Sequence, residues 1–361
     1  MKRKCKNVNI FNIGFISYCI LDCLKNSKKR KRCDTVKLFA KLLDTSLSKA
    51  KIVLKERNDD YYIAINRQAH IMRDALIENK IPKCDVRFSY KLDKGSLKKR
   101  HITILTIEHL LYDHVAVRGL DELFKRVGEY QVSSIKGRGA IYGMRAIRRW
   151  TRTKKRLYSA KLDIKNFYGS VDKNLLLNWI ENKICNKSLL NLIKHQLNII
   201  KDGMAIGSFL SQTLANLYLS DVYHKVKENF NKSYVKHVLF YMDDLLFIGH
   251  NKRKLKRVCD FVKNYLKENM KLTVKQYDVH KVTKLNPINM MGYRIWKGVV
   301  TLRKYIYRNV RRTAIRIGRI KEIISNKLLK RAASYNGYVC HSNLYNLSCF
   351  YKSISYKQSD K

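Results

Sequence analysis

Two adjacent aspartates, Asp243 and Asp244, interrupt an otherwise apolar stretch, Phe240 to Ile248 (FYMDDLLFI), and no other feature restricts the folding of this chain as much. Charged groups inside so hydrophobic a run are tolerated where the chain turns. The segment therefore predicts a hairpin, with strands Val238 to Tyr241 and Leu245 to Ile248 and a turn at Met242-Asp243-Asp244. An isolated Asp-Asp pair is commonly a capped surface turn and nothing more, because Asp satisfies its own backbone there. These flanks are too apolar for that. Two ionised carboxylates at the ends of buried strands repel each other unless a cation lies between them, so the segment predicts a divalent-metal site.

A second carboxylate motif lies upstream, at Ala160 to Asp172 (AKLDIKNFYGSVD). Leu157 to Ile164 reads as a strand with Asp163 at its end, and Asp172 or Ser170 reads as the cap of the following helix. If this strand neighbours the hairpin in one sheet, Asp163 faces the same ions and three carboxylates converge. Two Mg2+ ions on oxygen ligands would activate a 3′-hydroxyl and stabilise a leaving pyrophosphate.

Charge points the same way. Lys and Arg number 76 against 28 Asp and Glu, a formal net charge of +48 spread over the 361 residues, which calls for a long polyanionic partner. A lysine-rich surface that merely stays solvated is the bland alternative, and the deficit of acids argues against it. Hydrophobic residues at 45% and only two prolines exclude wholesale disorder and collagen-like repeats. A basic surface with a two-metal carboxylate site means nucleotidyl transfer or nucleic-acid hydrolysis. Nine cysteines without a CxxC pair read as free thiols in a reducing, cytoplasmic compartment, with no disulfide or metal-thiolate site. Lys2-Arg3-Lys4 followed by Ile10 to Leu24 has the look of a signal peptide, but Asn12 and Asp22 interrupt a run too short to span a bilayer. No membrane association is expected.

No repeat or Gly/Ser-rich linker appears, so one extended, multi-lobed unit is expected. Helices are predicted around Val36, Phe39, Ala40 and Leu43, around Ile71, Met72, Ala75 and Leu76, and through Leu110, Leu111, Leu120, Leu123 and Phe124. Arg87 to Thr106 reads as a hairpin turning at Lys94-Gly95. Further helices carry Leu176, Trp179, Ile180 and Ile184, then Leu210, Leu214, Tyr218, Val222 and Val226, then Val258, Phe261, Val262, Tyr265 and Leu266. Short strands are expected near Leu272 to Val274 and Tyr293 to Ile295. This order predicts an α+β lobe whose antiparallel sheet is covered by helices on one face. From Tyr305 a helix carries Ile306, Val310, Ile317, Ile320 and Ile324 on one face and Arg308, Arg311, Arg312, Arg316 and Arg319 on the rest. Such a guanidinium row follows duplex phosphates without reading sequence.

These segments together resemble reverse transcriptases of the bacterial retroelement type. FYMDD looks like the family's YxDD box, and LDIKNFYGSVD like its first palm aspartate motif. AIGSFLSQTLAN (205 to 216), MMGYRI (290 to 295), KGSLKKRHITI (94 to 104), SIKGRG (134 to 139) and SYNGYVCH (334 to 341) are similar to its helix-entry, primer-grip, fingers and thumb motifs. The resemblance runs in the family's order from about Lys94 to Leu347. It implies an α+β right-hand polymerase fold of fingers, palm and thumb with an antiparallel palm sheet. Residues 1–85 would be an N-terminal helical extension and the start of the fingers, 86–155 the fingers, 156–302 the palm with part of the fingers at 173–202, and 303–361 a helical thumb. No ribonuclease H, endonuclease or intron-binding domain is expected.

Carried over residue by residue, the resemblance makes Asp163, Asp243 and the Ile164 carbonyl metal ligands with Asp244 close behind, for two Mg2+ ions or Mn2+ in their place. Tyr168 would exclude a 2′-hydroxyl from the incoming sugar, giving a dNTP preference. Arg100, with Lys94 as companion, would grip the triphosphate, and Lys275 would protonate the leaving pyrophosphate. Gly207 and Gln212 would line the nucleotide pocket. Lys136, Arg138, Tyr241, Met242, Gly292, Tyr293, Arg308, Arg311 and Arg312 would bind nucleic acid.

Ile206-Gly207-Ser208-Phe209-Leu210-Ser211-Gln212 reads IGxxxSQ where group II intron and retron enzymes carry a PQGxxxSP-like form. It is similar to the version in diversity-generating retroelements, where it accompanies adenine-directed infidelity, and in some phage-defence enzymes. The VTG signature of retron enzymes is missing after the palm. The implied partners are a structured non-coding RNA or RNA template, a DNA or RNA primer and dNTPs, with an accessory protein or a second copy of the chain. Two other functions stay open at this stage. One is an RNA-binding protein that keeps the fold without needing catalysis, against which the intact Asp163, Asp243, Asp244 and Tyr168 argue. The other is a polymerase making untemplated or protein-primed DNA, which 23 tyrosines permit.

Overall fold

The computed structural model describes residues 3–83, 85–92, 99–320 and 324–356. They divide into two compact units. The first comprises Met1–Gly128, Lys165–Val222 and Leu266–Leu272; the second comprises Glu129–Ile164, Tyr223–Tyr265 and Thr273–Lys361.

The first unit is mostly helical. Helix Ile13–Leu24 starts where the Asn12 side chain accepts the Phe15 N–H, and helix Leu47–Glu56 where Ser46 accepts that of Lys49. Helix Asp59–Ile77 buries Tyr61, Ile65, Gln68, Met72 and Leu76, an i+3/i+4 series, and Tyr61 stacks on Phe39 with ring centroids 5.6 Å apart. Ile71 lies one position off that series and is 54% exposed, which corrects its expected place on the apolar face. Strands β1 (Arg87–Leu92) and β2 (Lys99–Ile104) pair antiparallel as the predicted hairpin, in the register Arg87↔Ile104 to Leu92↔Lys99. Its turn, including Lys94, lies outside the described residues.

Helix Ile107–Gly119 is buried along most of its length and carries Asp113, 0% exposed. The Asp113 carboxylate accepts the Ser208 hydroxyl at 2.7 Å, the Phe209 N–H at 3.0 Å and, through its other oxygen, the Gln196 amide at 3.1 Å. It thereby satisfies donors at the start of helix Phe209–Asn229, where a negative charge also suits the helix dipole. Of the two candidate caps of helix Lys173–Glu181, Asp172 takes the role through the N–H groups of Asn174 and Leu175, while the Ser170 hydroxyl donates to the Lys165 and Phe167 carbonyls.

The second unit holds a four-stranded sheet of order β4-β5-β3-β6, made of β3 (Tyr158–Asp163), β4 (His237–Tyr241), β5 (Asp244–Gly249) and β6 (Val279–Lys281). A three-stranded meander follows: β7 (Ile288–Met290), β8 (Tyr293–Trp296) and β9 (Val299–Leu302). All of these ladders are antiparallel. The strand expected at Leu272 to Val274 reduces to a single bridge between Ile164 and Val274, and its place in the sheet is taken by β6. Both meander turns are two-residue links, Met291-Gly292 and Lys297-Gly298, with positive φ at each position, the twist that matches paired strands. Helices Ala140–Thr151, Lys304–Gly318, Asn326–Val339 and Tyr345–Tyr356 close a core that includes Ile147, Leu239, Ile295, Val310 and Tyr351. The Tyr351 hydroxyl donates to the Val310 carbonyl at 2.7 Å, giving a buried phenol its partner.

Helix Lys304–Gly318 buries Val310, Thr313, Ala314 and Ile317 and leaves Arg308, Arg311, Arg312 and Arg316 exposed. It stops at Gly318, so Ile320 and Ile324 pack on the same core from beyond the helix instead of extending its apolar face. Among the described residues no helix is long and apolar enough to cross a membrane. The cysteines described are free thiols, and burial pushes Cys5 up to about 11 and Cys19 to about 12, which makes them packing groups instead of nucleophiles.

Candidate active site

The carboxylates come together in the second unit through strand pairing. β4 and β5 form the predicted hairpin, but its turn is Met242-Asp243 alone; Asp244 already belongs to β5, paired with Tyr241 on one side and Asp163 on the other. Met242 adopts φ +52°, a left-handed conformation that costs an unbranched L-residue roughly 1–2 kcal/mol and is held by the ladder on either side. The Asp243 carbonyl accepts the Ile164 N–H at 3.2 Å, so the turn is tied to the end of β3.

Strand alternation puts Lys161 and Asp163 on one face of β3, with Ala160 and Leu162 fully buried on the other. Lys161 Nζ reaches Asp244 at 2.7 Å, and Lys275 Nζ reaches Asp163 at 2.5 Å. The Lys275 backbone N–H also donates to the Asp163 carbonyl at 2.9 Å, which fixes its segment along β3. Three carboxylates and two ammonium groups therefore share one sheet end, with a net charge of 2 − 3 = −1. All three aspartates are half-buried.

Among the described residues no group of three or more His, Cys, Asp and Glu is drawn tightly enough to hold an ion by itself. The donor set nevertheless fits a hard divalent cation: carboxylate oxygens lie opposite one another, and two lysines supply the positive charge that such ions would bring. Magnesium sites of this type are completed by substrate phosphates and water.

The other sequence-predicted residues fall as follows. In the first unit, Arg100 lies in β2 opposite Lys91. Tyr168 is half-buried in the short helix Phe167–Ser170, and its carbonyl accepts the Met204 N–H at 2.8 Å. Gly207, at φ +121°, lies so close to β2 that a Cβ would meet the Thr103 carbonyl at 2.6 Å. Gln212 is half-buried in the first turn of helix Phe209–Asn229.

In the second unit, Lys136 is exposed in the loop before helix Ala140–Thr151, and Arg138 donates to the Gln131 carbonyl at 3.3 Å. Tyr241 and Met242 flank the carboxylates. Tyr293 is 1% exposed, with its ring 5.7 Å from that of Tyr338. Its side chain is a core group, which corrects the expectation that it contacts nucleic acid; the neighbouring turn at Gly292 offers backbone only. Sequence reading missed Lys161 and Asp113. For Lys161 the signal was present, a charged residue two positions before Asp163 in an otherwise apolar strand.

The family model described as reverse transcriptase (RNA-dependent DNA polymerase) matches residues 90–295, more than half of the chain. No curated protein sequence matches it. Among solved structures, the chain is similar to apo telomerase from Candida tropicalis truncated from its C-terminal domain, with 14% identity, a TM-score of 0.45, and coverage of 71% of this chain and 70% of that one. It is also similar to telomerase from Candida albicans in complex with a TWJ fragment of telomeric RNA, at 11% identity and a TM-score of 0.45, covering 86% of this chain and 66% of that one. The Candida tropicalis telomerase complex with such a fragment gives 14% identity, a TM-score of 0.46, and coverage of 84% of this chain and 63% of that one. The chain thus spans about two thirds of the length of these telomerases.

Proposed function

We propose, on the premise that this chain belongs to the reverse transcriptase (RNA-dependent DNA polymerase) family, that it copies RNA into DNA at the Asp163–Asp243–Asp244 cluster. The observation that carries this reading is the cross-strand register of Asp163 and Asp244, with Asp243 on the adjoining turn. Asp163, Asp243, Asp244 and the Ile164 carbonyl would hold two Mg2+ ions, or Mn2+ in their place. Bound there, the ions would neutralise the triphosphate and activate the primer hydroxyl.

The chain's own groups divide the remaining work. Lys275 Nζ, already on Asp163, holds a proton that it delivers to the leaving pyrophosphate. Lys161 neutralises Asp244 and would give way to the ions where they bind. Tyr168 screens the incoming sugar for a 2′-hydroxyl, Arg100 with Lys94 takes the triphosphate, and Gly207 and Gln212 line the base pocket. Lys136, Arg138, Tyr241, Met242, the backbone at Gly292, and Arg308, Arg311 and Arg312 hold template and primer. In this reading 86–155 and 173–202 are fingers, the rest of 156–302 is palm, 303–361 is thumb, and 1–85 is a helical extension.

The IGxxxSQ form at Ile206 to Gln212 supports placement in a bacterial diversity-generating retroelement or a phage-defence system, working with a dedicated structured RNA. The unpaired thiols support a reducing, cytoplasmic setting. The test is primer extension on an RNA template with Mg2+ and dNTPs, beside the Asp243→Asn/Asp244→Asn variant. Template-matched DNA that vanishes in the variant supports the reading, and errors concentrated at template adenines favour the diversity-generating branch. Product that survives in the variant, or is untemplated, overturns it.

A further inference from the structure

Lysines gather in one other concave place in the second unit. Helix Lys252–Met270 and the segment from Val274 to Val279 enclose a groove of about 560 Å³, lined by Lys252, Lys256, Lys263 and Lys275 together with Tyr277 and Asp278. At about 100° per residue, positions 252, 256 and 263 fall within roughly 40° of one another around the helix, so the three ammonium groups form a single row. That row lies beside the buried stripe of Leu255, Val258, Cys259, Val262 and Leu266.

Among the described residues this charge is only partly balanced. Lys275 is already paired with Asp163, so three lysines, Lys252, Lys256 and Lys263, share the groove with one carboxylate, Asp278, a local balance of 3 − 1 = +2. Asp260 on the same helix accepts the Tyr277 hydroxyl. Among the described residues Lys252, Lys256 and Lys263 form no ion pair. Like charges lining a concavity repel one another and concentrate anions there.

Length decides which anion. From Lys252 to Lys263 the helix rises roughly 16 Å, at about 1.5 Å per residue, far longer than a pyrophosphate and long enough for several successive phosphates of a strand. Lys275 both lines the groove and pairs with Asp163, so the groove adjoins the carboxylate cluster.

We propose that this groove is a track for the sugar-phosphate backbone of single-stranded RNA, used in addition to the arginine face of helix Lys304–Gly318. The RNA identity of the strand rests on the polymerase reading above; the phosphate chemistry does not. Recognition is electrostatic and independent of sequence.

The experiment compares the wild type, Lys252→Ala/Lys256→Ala/Lys263→Ala and the same triple substitution to Arg, all retaining Lys275 and the three aspartates. Binding of a fluorescein-labelled oligouridylate is titrated across a series of salt concentrations without Mg2+ or dNTPs. With about 0.7 released counterions per neutralised phosphate on a single strand, the Ala variant is expected to lose about 2 from the slope of log K against log salt, while the Arg variant keeps it. Unchanged melting temperatures establish that both variants are folded. An unchanged slope in the Ala variant, or an equal loss in the Arg variant, overturns the proposal. So does weakened inhibition of primer extension by added inorganic pyrophosphate with the slope intact, which makes the groove a pyrophosphate path. Since binding is read without catalysis, a wild type inactive in primer extension sinks the polymerase reading and leaves this measurement standing.

Discussion

Asp163 stands directly across from Asp244 in the β3–β5 ladder, two carboxylates where a sheet ordinarily pairs apolar or opposite charges. Lys275 and Lys161 each take one of them. The pair is therefore tolerated by local neutralisation, and the lysines supply the positive charge that metal ions would bring in the proposed function.

Removing one of these charges separates function from stability. If the proposed function holds, Asp163→Asn and Asp244→Asn are each expected to lower primer-extension activity by about 10³-fold or more, since the transition state would lose a metal ligand. Their melting temperatures should stay level or rise, because like-charge repulsion is relieved and the partly exposed ion pairs contribute little. An active variant, or one that melts far below the wild type, contradicts this account.

In the proposed function the two lysines part ways, Lys161 competing with the ions and Lys275 donating a proton. Lys161→Met is expected to lower the Mg2+ concentration giving half-maximal activity, because Asp244 no longer has to release an ammonium group. Lys275→Met should instead reduce kcat at saturating Mg2+, because the leaving pyrophosphate loses its proton donor. A Lys161 variant needing more Mg2+ than the wild type shows that the lysine supports the site and does not compete for it.

Gly292 sits at φ +89°, and a Cβ there would come within 2.9 Å of Ile306 and Tyr338. Gly292→Ala is expected to cost about 1–3 kcal/mol from backbone strain, with the side-chain contact adding to it. Urea denaturation measures this directly, and a midpoint equal to the wild type's refutes the strained turn.

Asp113 is the buried cap of a helix that starts 96 residues later in the chain. Asp113→Ala leaves the Ser208 hydroxyl and the Phe209 N–H without their acceptor, at a cost of about 2–3 kcal/mol. Asp113→Asn keeps one acceptor oxygen and should lose less. Equal losses for the two variants indicate that charge, and not hydrogen bonding, dominates.

Stability should also depend on pH below neutrality. Burial first, and then the Lys29 ammonium group 3.0 Å away, lower His114 from 6.5 to about 4. The unfolded chain takes up this proton first as the pH falls, so folded stability drops between about 6.5 and 4 and levels off below. His114→Gln should shallow that slope in denaturant titrations repeated across the range; an unaltered slope assigns the pH dependence to other groups.

What could be read from the chain and what could not differ in the distance over which the determining forces act. The Asp243 turn, the cap at Asp172, the hairpin between β1 and β2 and the stripe at Val310 and Ile317 follow from alternation, helical period and side chains bonding nearby backbone. The glycine turns at Met291-Gly292 and Lys297-Gly298 were equally local, a glycine second in each two-residue link. Local pattern also has an angular tolerance that burial does not. Ile71 sits one residue off the buried series of its helix and points to solvent, and Tyr293, within the motif expected to contact nucleic acid, is committed to the core.

By itself the sequence determined that carboxylates would stand at strand ends in a strongly basic protein, because hydrophobic runs and backbone sterics leave Asp243 and Asp163 few other places. Only the tertiary structure decided that Asp163 faces Asp244, that Lys161 and Lys275 hold them, and that Asp113 caps a distant helix. Those contacts join residues far apart in the chain, and their register is set when whole strand and helix faces are buried together, a condition no short window of sequence contains.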